Sequence, residues 1–383
     1  MLRSVVLRSV VLPLLLLAGC AAAPEPTPFE VPRWSPHDPV ELPPALASLY
    51  VLDAAGWDGG LLVAGEYPAP ALFSSPDGHA WTARAPEGFS RFLRGRSVAA
   101  HASTAYVLGG TQDEVVVWRT EDGARWERAP LPDSSRDDPF MTIAAGPRGV
   151  VVIGYDHPAV GFGATDDPDG FQGFRVWHAE DGRSFRHVAT IADDESTGVL
   201  PRVTATQDGF LLHDSDLGLS DGTPLFRSTD GTTWTYVGDG LPEGYRDATG
   251  RIGSLTFVLG RDADGLHARY RRDDEPGWNA GGIDLGRLPD AGVTDREHQW
   301  VVDAHPWGRG ALAIGRTDDG AAGLVWTSPD GITWTRMPVR AHGFDRLAEI
   351  PAVASTRDRT FLFGVVNFPP HQEVRLWSAP LSG

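Results

Sequence analysis

Six times along this chain two aromatic residues stand eight positions apart around a turn that carries an aspartate. The clearest copy is Trp326 and Trp334 around Ser328-Pro329-Asp330-Gly331. Phe73 and Trp81 enclose Asp77-Gly78, Trp118 and Trp126 enclose Asp122-Gly123, Trp177 and Phe185 enclose Asp181-Gly182, and Phe226 and Trp234 enclose Asp230-Gly231. Tyr270 and Trp278 keep Asp274 at the same offset but have Glu275 in place of the glycine. The inner spacing is fixed while the distance from copy to copy drifts around roughly 50 residues, which means one small folding unit repeated with loops of different length. Asp-Gly between alternating apolar runs is a hairpin signal, because the turn needs positive φ and glycine supplies it without a steric penalty. The aspartate can accept the turn's own backbone N–H groups. The same residue type serves every copy alike, so Asp77, Asp122, Asp181, Asp230, Asp274 and Asp330 read as structural turn locks rather than a ring of catalytic or metal-binding acids. The paired aromatics, each burying roughly 150–250 Å², are expected to pack between neighbouring sheets.

Upstream of each hairpin lies a short apolar run that in most copies ends on glycine: Leu61–Gly65, Tyr106–Gly109, Val151–Gly154, Phe257–Gly260, Leu312–Gly315 and Phe361–Gly364, with Phe210–His213 departing from the pattern. Such runs fit strands buried on both faces. Small-residue segments precede them, for example Ser97–Ala100 and Ala352–Ser355, and slim side chains suit the innermost strand of a ring. Each unit therefore has four strands, A to D, with the aspartate turn joining C to D. The A strand of the fifth unit, within Arg246–Ile252, is poorly patterned. Near the C-terminus Arg375–Pro380 reads as a C strand with no D strand after it, and Pro32–Pro36 reads as a D strand with no unit before it. The predicted fold is all-β: a single seven-bladed β-propeller of four-stranded antiparallel blades over residues 29–383, closed by the N-terminal strand joining the last blade. Trp34 would then lie near Trp377, and no large unpaired edge would remain.

The formal net charge of −18 argues against non-specific nucleic-acid binding and against a polybasic membrane patch. Most of the 13 tryptophans fall on the repeat's aromatic positions and are explained by packing. Arg3 and Arg8 flank a short apolar run that ends in small residues, the layout of a secretory signal too short to span a bilayer. Leu17-Ala18-Gly19-Cys20 resembles the lipobox of bacterial lipoproteins. That resemblance implies a signal peptide over residues 1–19, cleavage before Cys20, lipid attachment on its sulfur, and a protein secreted across the cytoplasmic membrane and anchored in the cell envelope. Cys20 is the sole cysteine, so no intramolecular disulfide is possible. Residues 20–28, rich in Pro and Ala, form a semi-rigid tether.

The aspartate turns resemble the Asp-box (bacterial neuraminidase repeat) of the sialidase superfamily, whose pattern is Ser/Thr-x-Asp-x-Gly-x-x-Trp. Here the turn is one residue shorter, as in Ser75–Trp81 and Ser328–Trp334. The likeness covers six units and implies the propeller fold, but the motif occurs in enzymes and non-enzymes alike and leaves activity open. A catalytic member would also carry Arg-Ile-Pro before the first blade, an arginine triad and a Tyr/Glu nucleophile pair, and the chain has no Arg-Ile-Pro. Arg96, Arg136, Arg202, Arg251, Arg296 and Arg346 stand just before the expected A strands, and Tyr245 stands in a D–A loop. These arginines either converge on the channel mouth to bind an anion, since guanidinium forks suit carboxylates, or pair with neighbouring acids such as Asp137, Asp247 and Asp345 as solvated salt bridges.

In such a ring the A–B and aspartate turns share one face, while the B–C and D–A connections share the other. The second face carries the length variation, with Tyr155–Phe174 the longest loop, and is the expected binding face. No metal or cofactor is expected. Asp166–Gly170 and Asp214–Gly218 have the look of calcium loops but lack a bidentate Glu at the required spacing, the histidines show no zinc pairing, and no phosphate-binding glycine loop is present. The expected function is a monomeric, non-catalytic binding or assembly module for an envelope protein or glycan, with no nucleic-acid partner. The alternative is a diverged sialidase-like glycoside hydrolase or lyase.

Overall fold

A computed structural model describes residues 33–36, 42–66, 69–92, 97–134, 141–155, 173–191, 201–214, 224–241, 245–262, 265–285, 299–317, 320, 322–367 and 372–381. All of them fall in one unit, Val31–Gly383. The leader, Cys20, the tether, Arg96, Arg136 and Arg296 lie outside the described residues, as do most of the Tyr155–Phe174 loop and nearly all of the two acidic segments weighed for calcium.

The described residues build seven sheets, each with a core of antiparallel strands in chain order. The first is Tyr50–Trp57, Gly60–Glu66, Pro70–Ser75 and Thr82–Ala83. In the sixth, Gly282–Ile283 adds in parallel outside Thr333–Arg336. The last sheet has three strands of its own, Glu349–Ser355, Arg359–Val366 and Glu373–Pro380, and takes its fourth from Ser35–Pro36, which sits opposite Ser378 and Trp377. Trp34 is buried there, its indole N–H directed at Met337 Sδ, 3.3 Å away. The first strand of each sheet packs on the first strand of the next, and Tyr50–Trp57 packs on Glu349–Ser355, so the series of sheets returns to its start.

The aspartate turns supply the local rule. Asp330 Oδ1 accepts the N–H groups of Ile332 and Thr333 at 2.8 and 2.9 Å, while Ser328 Oγ accepts that of Gly331 at 2.8 Å. Asp77, Asp122, Asp181 and Asp230 each take the same pair of backbone N–H groups. Asp274 does not, among the described residues; in that turn Glu275 N–H donates to the Arg272 carbonyl at 3.1 Å. Gly331 has φ +75°, and a Cβ there would stand 2.8 Å from Leu255 and 3.1 Å from Phe257. The turn is therefore seated against the B strand of the preceding sheet. The aromatics do the same: Trp334 meets Phe257 edge-on at 5.0 Å, and Trp81 meets Phe363 at 6.0 Å.

The glycine ending the apolar runs has a second cause. In the sixth sheet the A strand Gln299–Trp307 bulges between Val301 and Asp303, opposite Gly315. The bulge drives the Trp300 carbonyl onto Gly315, where a Cβ would lie 1.9 Å from the oxygen. Gly315→Ala is expected to lower unfolding free energy by about 1–3 kcal/mol, the usual cost of overpacking, measured as a shift of the urea midpoint without loss of cooperativity.

Two expectations need correction. Arg251 does not precede an A strand: the fifth sheet opens at Tyr245–Ile252, and Arg251 lies opposite Thr256 at the strand's far end. Tyr245 is the first residue of that strand, opposite Arg261, and not a loop residue.

Candidate functional site

Bulges in the first, fifth, sixth and seventh A strands fall where those strands meet the loop-rich face, at Val51/Asp53, Arg246/Ala248, Val301/Asp303 and Glu349/Ala352. An extra residue turns its neighbours out of the regular alternation, and at each of these places an acid is involved. Asp53 accepts the N–H of Ala54 with one oxygen, at 2.9 Å, and those of Ser97 and Val98 with the other, at 3.0 Å, tying the first sheet to the second. Asp303 accepts the N–H of Ala304 at 2.9 Å and faces His305 Nε2 at 3.0 Å.

The B strands bring arginines to the same end. Arg261 and Arg316 each follow the glycine that closes an apolar run, near the ends of Leu255–Asp262 and Gly310–Thr317. Both approach Trp300: the Arg261 guanidinium carbon lies 3.2 Å from the ring centroid and that of Arg316 lies 5.8 Å from it. Arg261 pairs with Asp247 at 3.4 Å and Arg316 with Glu349 at 3.7 Å. Arg202, on the fourth sheet, donates to the Val302 carbonyl of the sixth at 3.4 Å, crossing the front of the fifth.

Burial pushes the Asp247 carboxyl up to about 6, against the opposing pull of Arg261 and Arg202. Burial likewise raises Glu349, opposed by Arg316, and raises the Tyr50 hydroxyl with help from Glu349. Three guanidiniums thus meet an indole and two carboxyls whose charged forms burial disfavours. A flat indole beside guanidinium forks can hold a ring or a carboxylate-bearing group.

Of the arginines marked in the sequence, Arg202 joins this cluster. Arg346 is exposed on the short turn Phe344–Arg346, and Arg251 sits at the opposite end of the channel. Nothing is described of the Tyr245 side chain, though its backbone lies beside Arg261. The sequence reading missed Trp300, Arg261, Arg316 and Glu349. The available signal was the charged residue following the run-ending glycine in units five and six.

No protein-family model matches the chain, and no curated protein does. Among solved structures it is similar to YCF48 from Cyanidioschyzon merolae, with TM-score 0.54 and 14% identity over 90% of this chain and 98% of that one. It is also similar to the GH74 xyloglucanase from Xanthomonas campestris, with TM-score 0.52 and 12% identity over 90% of this chain and 55% of that one. The β-propeller domain of the Trilobed protease from Pyrococcus furiosus gives TM-score 0.51 and 8% identity over 88% and 98%. At such identities the likeness concerns the fold: an all-β chain of four-stranded antiparallel sheets arranged as in β-propellers. The names span a glycoside hydrolase, part of a protease and YCF48, so the fold leaves the activity open.

Proposed function

We propose that this chain is a seven-bladed β-propeller that binds an envelope protein or glycan through the mouth on its loop-rich face, held at the membrane by lipid on Cys20. The observation that carries this reading is the meeting of Trp300, Arg261, Arg316 and Arg202 at the ends of rigid strands. Strand-borne side chains can present a ligand with a fixed arrangement of stacking surface and donors. Asp247 and Glu349 each already hold a guanidinium, which suits recognition better than a free acid and base poised around one bond. The elevated Asp247 favours a second reading, a diverged sialidase-like glycoside hydrolase or lyase, because a carboxyl that keeps its proton near neutrality can act as a general acid.

One experiment addresses both. Purified protein is applied to a glycan array and to solubilised envelope extract, and is assayed on aryl glycosides, beside Trp300→Ala and Arg261→Ala. Binding is expected to weaken about tenfold or more in each variant, in line with losing a stacked ring or a charge-assisted hydrogen bond, with no turnover. Turnover abolished by Asp247→Asn selects the second reading. Binding that both variants retain in full rejects the mouth as the site.

A further inference from the structure

A cavity opens at the other end of the channel, among the A–B turns. It encloses about 500 Å³, a volume suited to a small ligand. Its lining includes His101, Gly146, Gln207, Arg251, Gly308 and Arg309 and, among the described residues, no carboxylate-bearing one. That is unexpected in a chain with 51 acids against 33 lysines and arginines.

The two arginines of the lining differ. Arg251 is nearly fully buried and fixed, donating to both carboxylate oxygens of Asp273 at 3.0 and 2.9 Å, to Thr256 Oγ1 at 2.7 Å and to the Gly253 carbonyl at 3.1 Å. Its Nε lies 3.2 Å from Asp208. Arg227 reaches the same two acids at 2.5 and 3.1 Å, so two guanidiniums balance two carboxylates. Arg309 is exposed at the rim, on a turn between Gly308 and Gly310, and has no ion-pair partner among the described residues. The uncompensated charge of the cavity is therefore that of Arg309, with the exposed His101 and Gln207 also on the lining. Below, the Arg202–Val302 contact lies three strand residues in from Ala205 and from His305, roughly 10 Å at 3.3 Å per residue. It ties two of the walls together between this cavity and the loop-rich mouth.

We propose that this cavity binds a small molecule bearing an oxyanion, carboxylate or phosphate, with Arg309 as the charged anchor and His101 and Gln207 as flanking hydrogen-bonding groups. Arg251 serves as a rigid wall: its two terminal nitrogens donate to Asp273, Thr256 and Gly253, and its Nε is buried against Asp208 as an ion pair. The site is independent of the loop-rich mouth. Purified full chain is titrated by calorimetry with citrate and, separately, with inorganic phosphate. Saturable binding of one or both is expected. Citrate alone assigns a carboxylate ligand, phosphate alone a phosphate. Arg309→Ala is expected to weaken binding about tenfold or more, the loss of one charge-assisted contact, with an unchanged thermal midpoint because the side chain is exposed. Arg357→Ala, on another A–B turn, and Trp300→Ala, at the other mouth, are expected to leave it unchanged. The proposal is overturned if neither anion saturates, if Arg357→Ala weakens binding as much as Arg309→Ala, or if only Trp300→Ala weakens it. Failure of the loop-rich mouth to bind a partner would leave these results untouched.

Discussion

Trp334→Ala is expected to cost about 3–5 kcal/mol of unfolding free energy, the range for deleting a fully buried aromatic side chain. Trp334 has no exposed surface. Its ring meets Phe257 of the preceding sheet at 5.0 Å and 67°, and its indole N–H donates to the Gly331 carbonyl at 3.3 Å. Removing it takes away the wedge between two sheets and one of the contacts that fixes the aspartate turn. Trp334→Phe keeps the edge contact and should lose much less. Trp81 makes the corresponding contact with Phe363 at 6.0 Å but is only half-buried, so Trp81→Ala should lie between the two. Urea unfolding followed by far-UV circular dichroism gives the ranking. A loss below about 1 kcal/mol for Trp334→Ala, no more than an ordinary surface change, would show that these rings do not hold the sheets together.

The contacts that those three variants remove belong to a pattern that was legible in the sequence, while their ranking comes from the burial of each ring. An aromatic pair at fixed spacing around Asp-Gly is a local pattern, set by the turn itself, and the structure forms it at Asp77, Asp122, Asp181, Asp230 and Asp330. Loss of the glycine at Glu275 coincided with loss of the hydrogen-bond pattern at Asp274. The missing fourth strand of the last sheet could be found from either end, because Ser35–Pro36 and Arg375–Pro380 were each incomplete alone. What the sequence hid was set by distant residues. Arg251 looked like a loop arginine because a charge inside a strand is improbable until its partners are known, and those are Asp208 on the fourth sheet's turn and Asp273 after the fifth sheet's third strand. The bulges that carry Asp247, Asp303 and Glu349 depend on how each A strand meets its neighbour, which no short window of sequence encodes. The glycines opposite the bulges were visible all along, but the cause at Gly65 and Gly315, a carbonyl pressed against each, was not.

Thermal stability is expected to be greatest on the acid side of neutrality, at about pH 4.5–5.5, and to fall away on both sides for opposite reasons. On the acid side the turns govern. The backbone N–H groups of Ala80 and His79 hold the Asp77 carboxyl below its ordinary value, those of Arg125 and Ala124 hold Asp122, and those of Ser184 and Arg183 hold Asp181. At Asp230 burial works the other way but is outweighed by the N–H groups of Thr233 and Thr232. A carboxyl depressed in the folded state contributes stability that is complete above its unfolded value, about 3.9, and is lost as pH falls through the folded value. On the alkaline side the loop-rich mouth governs. Burial raises Asp247 from 3.8 to about 6, and raises Glu349 as well. A raised carboxyl contributes stability that is present below the unfolded value and is lost as pH rises through the folded one. At 1.36 kcal/mol per pH unit, Asp247 alone accounts for about 2–3 kcal/mol between pH 4 and pH 8, a fall of roughly 3–4 °C in Tm for a folded unit of this size. Scanning calorimetry from pH 3 to 8 is expected to show both limbs, with Asp247→Asn flattening the alkaline limb and leaving the acid limb in place. A wild-type curve level from pH 5 to 8 would mean that water reaches Asp247 and that the cluster around Trp300 is open. The same ionisation sets the charge offered to a ligand: with Asp247 protonated, Arg202 and Arg261 face the mouth without their counter-charge. A carboxylate-bearing partner should then bind more tightly at pH 5 than at pH 8, and Asp247→Asn should erase most of that difference.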